Sequence, residues 1–344
     1  MGLNIRTDEE KILRNLEVLK KKAGDRLICA VVKANAYGHG LERIVGLLRD
    51  KVNYFAVATT GEGVRIRELG IENPILLLAF REKDSDLCAE YNLSVGVSTK
   101  GHCLSLLSSA EKCQKDIRIH IQVDSGMNRF GVKSVDELND LLSSVGRLKV
   151  EGVYSHVFSD NSAYYQIGSF ALFESLVKAR YPNAISHISA TGSVLKNRSY
   201  GDMVRVGLGL YGYPKGELCP AMRITGTVLQ IKRLEPYATA GYDGVFSTSE
   251  KGGRVAIVDG GYADGITRSL IGGSVIHNGK FFKIVAVCMD TVIIDIGEEN
   301  LSCGDEVVYV GECCDNCQYA DDLAKISNTI PYEIVSSIGN LLRN

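Results

Sequence analysis

Lys33 is the residue in this chain best placed to do chemistry. It follows directly on a short, continuous apolar run, Leu27–Val32 (LICAVV), that reads as a buried strand, and Gly38-His39-Gly40 marks a loop soon after it. A lysine at a strand end has two readings: it can lift its ammonium to solvent along its alkyl stem, or stand partly desolvated as an amine nucleophile. The surroundings favour the second. An apolar strand disfavours the charged amine, Tyr37 brings a hydroxyl close by, and the two glycines let backbone approach a ligand.

The elements that would position Lys33 recur along the chain. An amphipathic helix over Asp8–Lys22, with Ile12, Leu13, Leu16 and Leu19 at helical spacing, leads into the lysine strand. Further apolar or β-rich runs follow at Tyr54–Ala58, Pro74–Ala79, Leu93–Val97, Ile117–Val123, Val150–Tyr154, Ala184–Ser189 and Val204–Leu208. Helix-like segments lie between them, among them Gly40–Arg49, Gly61–Leu69, Thr99–Ala110, Ser134–Ser144 and Gly168–Arg180. This alternation predicts an α/β fold, a (β/α)8 TIM-like barrel, over residues 1–213. Such barrels gather their reactive groups at the carboxyl ends of the strands, and the polar residues obey that rule. Lys33 follows the first strand, Asp124–Arg129 the fifth, His156 the sixth, and Thr191 with Gly192 the seventh; Arg205 and Gly207 belong to the eighth. A phosphate in this fold is usually held after strands seven and eight, where Thr191, Gly207 and the amide of Leu208 stand. From about Tyr213 the alternation stops. Strand-like runs at Ala221–Leu234, Arg254–Val258, Phe281–Val287, Thr291–Ile296 and Glu306–Val310, with short helices at Asp321–Ile326 and Tyr332–Leu342, predict a mostly-β domain over residues 214–344.

The composition narrows the function classes. The chain has 344 residues, 45% of them hydrophobic and 23% charged, with a net charge of -2, so no basic field invites nucleic acid. The longest apolar runs, such as Ile75–Phe80, are too short to span a membrane, and no signal-peptide core opens the chain, which predicts a cytoplasmic protein. Ten cysteines are scattered and read as reduced thiols. Cys313, Cys314 and Cys317 form one cluster, but three thiols without a nearby histidine do not make up a tetrahedral site, so no metal is expected.

Several motifs together resemble the alanine racemase family over nearly the whole chain. Val32–Gly40 reads VKANAYGHG, similar to the family's cofactor-lysine motif, which implies that Lys33 forms the Schiff base with pyridoxal 5′-phosphate (PLP) and Tyr37 bonds its phosphate. Asp124–Gly131 (DSGMNRFG) resembles DTGMGRLG, where the arginine, here Arg129, bonds the phenolic oxygen of the cofactor and helps to hold the substrate carboxylate. Many members carry a carbamylated lysine seven residues before that arginine; here the position is Gln122, a neutral amide. Val204–Gly212 (VRVGLGLYG) matches VRxGxxLYG, implying that Arg205 donates to the pyridine nitrogen and keeps it unprotonated, with His156 beside it. His187–Thr191 (HISAT) resembles HxANS, leaving the Thr191 hydroxyl for phosphate and Ala190 in place of an asparagine.

Racemisation also needs an acid–base group on the face opposite the lysine. The resemblance supplies Tyr242 in Gly241-Tyr242-Asp243, contributed by a partner subunit, although taken alone this residue reads as a packing tyrosine. Gly261–Gly265 (GYADG) places Tyr262 at the substrate entrance, Cys288-Met289-Asp290 is similar to the CMD that meets the substrate carboxylate through its methionine amide, and Thr329–Glu333 (TIPYE) resembles TINYE, giving Tyr332 as another phosphate ligand. The resemblance also implies a first strand ahead of the N-terminal helix and a basic run near the end; neither is read here, so the chain reads as short at both ends. Taken together, the resemblance implies a fold-type III PLP-dependent racemase, a homodimer with shared sites, converting L-alanine to D-alanine for peptidoglycan. A serine or broad-specificity racemase is the close alternative, because the chemistry is common and specificity can turn on one buried polar contact. A PLP decarboxylase is disfavoured by Arg205 and the CMD, and a PLP carrier without turnover by the second domain.

Overall fold

The computed structural model describes residues 2–340, in two compact units formed by residues 16–36 with 41–210 and by residues 2–15, 37–40 and 211–340. In the first unit, eight parallel strands lie in the order Ile185–His187, Lys149–Tyr154, Arg118–Gln122, Ser94–Val97, Ile75–Leu77, Tyr54–Val57, Leu27–Val31, Met203–Val206. The last returns to the first through the amides of Asp202 and Arg205, which donate to the carbonyls of Ser186 and Ser189 at 2.7 and 3.0 Å. The result is a near-closed barrel. Several of its strands are apolar on nearly every residue because a parallel sheet wrapped by helices is buried on both faces; all of Tyr54–Val57 and Met203–Val206 is buried. Register puts Cys29 beside Arg205, so the strand that leads to Lys33 and the strand that carries Arg205 are neighbours.

The helices between the strands begin on side-chain caps. Thr59, Thr99 and Ser134 each accept from the third backbone N–H of the helix that follows, the position that a short hydroxyl side chain reaches. The helix Glu9–Ala23 carries acids in its first turn and three lysines in its last, matching the helix dipole, and buries Ile12, Leu16 and Leu19.

The second unit is an antiparallel sheet in the order Asn4–Thr7, Met222–Leu234, Gly253–Asp259, Thr291–Asp295, Lys280–Val287, Ser274–His277, Glu306–Cys313, Asn316–Gln318. Met222–Leu234 also pairs with Glu306–Cys313, so the sheet curls back on itself. The short strands of this unit differ from the sequence reading. The strand expected ahead of the N-terminal helix is present, Asn4–Thr7, antiparallel to Met222–Thr225. It escapes notice because four residues with one apolar side chain carry no β pattern; its stability comes from a partner far along the chain. Ser274–His277, a short strand, is also absent from the sequence reading; it is the antiparallel hairpin partner of the start of the strand Lys280–Val287. The C-terminal helix spans Pro331–Asn340, and positions 341–342 of the expected helix lie outside the described residues.

Candidate active site

Lys33 stands at the carboxyl end of the first barrel strand, and the chain turns sharply after it. Ala34, Asn35, Ala36 and Tyr37 all have φ of 52–54°, a left-handed turn made without glycine. Each such residue costs about 1–2 kcal/mol, so specific contacts must hold the segment. The Ala36 amide donates to the Val32 carbonyl at 2.9 Å, and Asn35 Oδ1 accepts from the Leu41 amide at 2.9 Å. Glu62 Oε1 accepts from the Ala34 amide at 2.6 Å, while its Oε2 takes the amides of Ala58 and Thr59 at 2.9 and 3.0 Å. Glu62 sits there because Thr59-Thr60-Gly61-Glu62 is a capping box, which aims the carboxylate back over the end of the preceding strand. That pattern is visible in the sequence and is the signal by which Glu62 could have been found. Glu62→Gln leaves one oxygen for three amides, so we expect stability to fall by about 2 kcal/mol, the worth of a charge-assisted hydrogen bond. Denaturant unfolding checks this, and an unchanged midpoint would mean that the turn holds itself.

Burial pushes the Lys33 amine below its ordinary pKa, the positive charges of Arg129 and Arg205 push the same way, and Glu62 opposes them. His156, half-buried, is driven down to about 3 by burial and by the charges of Arg205, Arg129 and Lys33. The barrel thus brings Lys33, Arg129, His156 and Arg205 within reach of one another's fields. Arg205 is buried, and its Nη1 donates to His187 Nδ1 at 2.6 Å and to the His187 carbonyl at 3.0 Å. Its Nη2 donates to the Ser155 carbonyl at 2.6 Å and faces His156 Nδ1 at 3.4 Å. The Tyr154 ring lies 5.3 Å from the guanidinium. Arg129 is exposed, on the loop after strand five that Asp124 ties by accepting from the amides of Gly126 and Asn128 at 2.9 and 3.0 Å. A cavity of about 390 Å³ opens beside it, lined by Ser98, Thr99, Asp124, Asn128, Phe130 and Gly131.

After strand seven, Thr191 begins the short helix Thr191–Leu195, and its Oγ1 accepts from the amides of Gly207 and Gly209 at 3.3 and 3.2 Å. A Cβ on Gly209 would lie 2.6 Å from Thr191 Cγ2, so glycine is needed for this approach. Gly207 and Leu208 are buried. A hydroxyl held by two amides, a low-pKa amine and two guanidiniums form a set that fits a phosphorylated, carbonyl-bearing cofactor such as PLP. Gly209, Glu62 and His187 belong to this constellation and were not among the residues picked out for it from the sequence.

In the second unit, Tyr37 is buried with its ring centroid 5.0 Å from Tyr211 and 6.0 Å from Tyr332, and burial raises its hydroxyl pKa. Tyr332 itself is exposed, near the start of the C-terminal helix. Tyr262 and Met289 lie on adjoining turns: the amides of Tyr262 and Ala263 donate to the carbonyls of Cys288 and Met289, both at 3.0 Å. Asp290 is exposed, and its carbonyl accepts from Gly260 at 3.2 Å. Tyr242 is exposed on a short turn whose Gly241 leaves no room for a Cβ, which would meet Ala286 Cβ at 2.5 Å. Asp243 faces Arg268 at 3.9 Å. Tyr242, Tyr262 and Met289 therefore sit on the surface of their unit.

Known proteins resemble this chain over nearly its whole length. Residues 7–215 match the family model "Alanine racemase, N-terminal domain" and residues 221–344 match "Alanine racemase, C-terminal domain". The chain is 33% identical to Alanine racemase 2 of Caldanaerobacter subterraneus subsp. tengcongensis, over 96% of this chain and 90% of that one. It is similar to the solved alanine racemase of Clostridium difficile 630, with 28% identity, a TM-score of 0.89 and 98% and 93% of the two chains covered. It is also similar to the alanine racemase of Bartonella henselae solved with covalently bound pyridoxal phosphate, with 26% identity, a TM-score of 0.86 and 99% and 98% coverage. With both domain models matched and the homology running nearly end to end, the chain belongs to the alanine racemase family, whose members are PLP-dependent isomerases.

Proposed function

We propose that this protein racemises alanine, L to D, as a homodimer, supplying D-alanine for peptidoglycan from the cytoplasm. The observation that carries the reading is Lys33 itself: an amine at a barrel-strand end, followed by a left-handed turn, whose basicity is lowered by burial and by the charges of Arg129 and Arg205. PLP, when bound, supplies the electron sink that acidifies the α-hydrogen of an amino acid. Lys33 holds the cofactor through Nζ and exchanges the proton on one face of the α-carbon. Tyr242 of the partner subunit serves the other face, because one lysine does not reach both. Arg205, a donor that does not give up its proton, would hold the pyridine nitrogen, with His156 beside it. Arg129 would hold the phenolic oxygen and the substrate carboxylate, the Met289 amide and Asp290 of the partner subunit would also serve that carboxylate, and the partner's Tyr262 would line the entrance. Tyr37, Thr191, Gly207, Leu208 and Tyr332 hold the phosphate.

The dimer reading is supported by the surface of the second unit, where Tyr237, Tyr242, Val245, Tyr262, Phe281 and Met289 are all exposed. Gathered into one patch, such groups would form an interaction surface, and the dimer reading takes them so. The domain division at residues 213/214 goes with this reading, one part holding the cofactor and the other serving the partner's site. The experiment reduces the PLP-loaded protein with borohydride, maps the pyridoxyl label, and assays L-alanine and L-serine separately for D-enantiomer and amine. The label is expected on Lys33, with D-alanine the faster product. A label on another lysine would refute the cofactor assignment, and faster turnover of L-serine would move the substrate to the hydroxylated amino acid.

A further inference from the structure

Behind Arg205, a line of buried polar groups crosses the barrel from the carboxyl ends of its strands to the amino ends. His187 Nε2 lies 2.9 Å from His120 Nδ1, and His120 Nε2 lies 3.1 Å from Glu151 Oε2. Both histidines are fully buried. Glu151 also accepts from Ser94 Oγ at 2.6 Å and pairs with Arg118 Nε at 3.4 Å, near the starts of strands six and five. Two glycines make room for this line. A Cβ on Gly152 would fall 2.3 Å from His120 Nδ1, and one on Gly96 would fall 2.3 Å from the hydroxyl of Tyr154, whose ring stacks on His187 at 5.0 Å.

The proton positions along the line are forced. Arg205 has only donors, so the His187 nitrogen facing it, Nδ1, must accept. An imidazole that accepts at Nδ1 carries its proton on Nε2, so His187 donates to His120 Nδ1. His120 must then accept at Nδ1 and carry its own proton on Nε2, which points at Glu151. A doubly protonated His120 would leave His187 with two accepting nitrogens and no proton, an anion that neutral water does not support. Burial works against the Glu151 charge, while hydrogen bonds from His120 and Ser94 and the Arg118 charge support the carboxylate.

We propose that Glu151, acting through His120 and His187, is a positioning residue for Arg205: its carboxylate fixes both imidazoles as Nε2–H donors and leaves His187 Nδ1 as the acceptor that clamps the guanidinium. The four hydrogens on Nη1 and Nη2 then meet His187 Nδ1, the His187 and Ser155 carbonyls and His156 Nδ1, which leaves Nε–H for a ligand. This rests on the reading of Arg205 as the donor to the pyridine nitrogen.

The test has two arms. In the first, ring-nitrogen shifts are recorded on the full chain, labelled with ¹⁵N-histidine and free of PLP; with six histidines in the chain, single-histidine variants assign the signals. Both His187 and His120 are expected as Nε2–H with a bare Nδ1. A proton on Nδ1 of either would overturn the proposal. Because no cofactor is present, this result stands or falls apart from the labelling of Lys33. In the second arm, His120→Leu and His120→Gln are loaded with PLP. Leucine breaks the line, and kcat/KM is expected to fall roughly tenfold or more, as for other carboxylate–histidine supports, with a shift in the cofactor absorption band. Glutamine accepts from His187 and donates to Glu151, so it should return most of both. Equal behaviour of the two variants would defeat the idea. Where leucine does not fold, Glu151→Ala serves, at the solvent-reached end of the line; an unchanged band and kcat/KM in that variant would also overturn it.

Discussion

Lys33→Ala is expected to lose at least about a thousandfold in kcat/KM, because it removes both the covalent tether of the cofactor and the acid–base group on one face of the substrate. The variant should also show no band for a lysine-bound cofactor, and a small primary amine added to the buffer should restore a fraction of the activity by entering the space left behind. The wild-type amine adds a pH dependence. Burial, Arg129 and Arg205 hold its pKa below the ordinary 10.5, so the neutral, reactive form is reached at lower pH than for a free lysine. Uptake of PLP by the cofactor-free chain should therefore rise with pH and level off below that value. The linkage has a definite sign: a lysine whose folded pKa is depressed weakens the fold fully below that pKa, and the weakening is relieved as pH rises from the folded pKa to the ordinary value of 10.5. Activity of Lys33→Ala within tenfold of wild type would sink the assignment.

The barrel and the groups at its mouth were legible because their signals are local. Buried parallel strands are apolar at successive residues, so Leu27–Val31, Tyr54–Val57 and Met203–Val206 stand out, and Lys33 and Arg205 are conspicuous as charges among them. What escaped was written elsewhere in the chain. Asn4–Thr7 becomes a strand only against Met222–Thr225. The left-handed turn after Lys33 contains no glycine in Ala34–Tyr37, so nothing in those residues announces it; Glu62, on the next helix but one, is what makes it tolerable. His120 and Glu151 look like ordinary members of half-polar strands, since Arg118–Gln122 alternates polar and apolar. Only the fold shows that the polar side of these strands faces another histidine and not water, because barrel curvature decides which face is interior.

Mixing two inactive variants tests whether the site is shared between subunits. If Lys33 of one subunit works with Tyr242 of the other, Lys33→Ala and Tyr242→Phe homodimers each lack one base in every site and should both be nearly inactive. The exposure of Tyr242 on its unit is what makes a role in a neighbour's site available to it. A C2 dimer assembled from one chain of each kind gathers both lesions into one site and leaves the other whole. With random exchange of equal amounts, about half of the dimers are mixed and half of their sites are intact, so roughly a quarter of wild-type activity should return. The subunits are exchanged by mild denaturation and refolding with PLP, and the mixed dimer is confirmed by mass. Single mutants alone, carried through the same refolding, set the baseline. Should the confirmed mixture stay at that baseline, both bases belong to one chain or Tyr242 is a packing tyrosine; the two are separated by Tyr242→Phe itself, which retains near-full activity only in the second case.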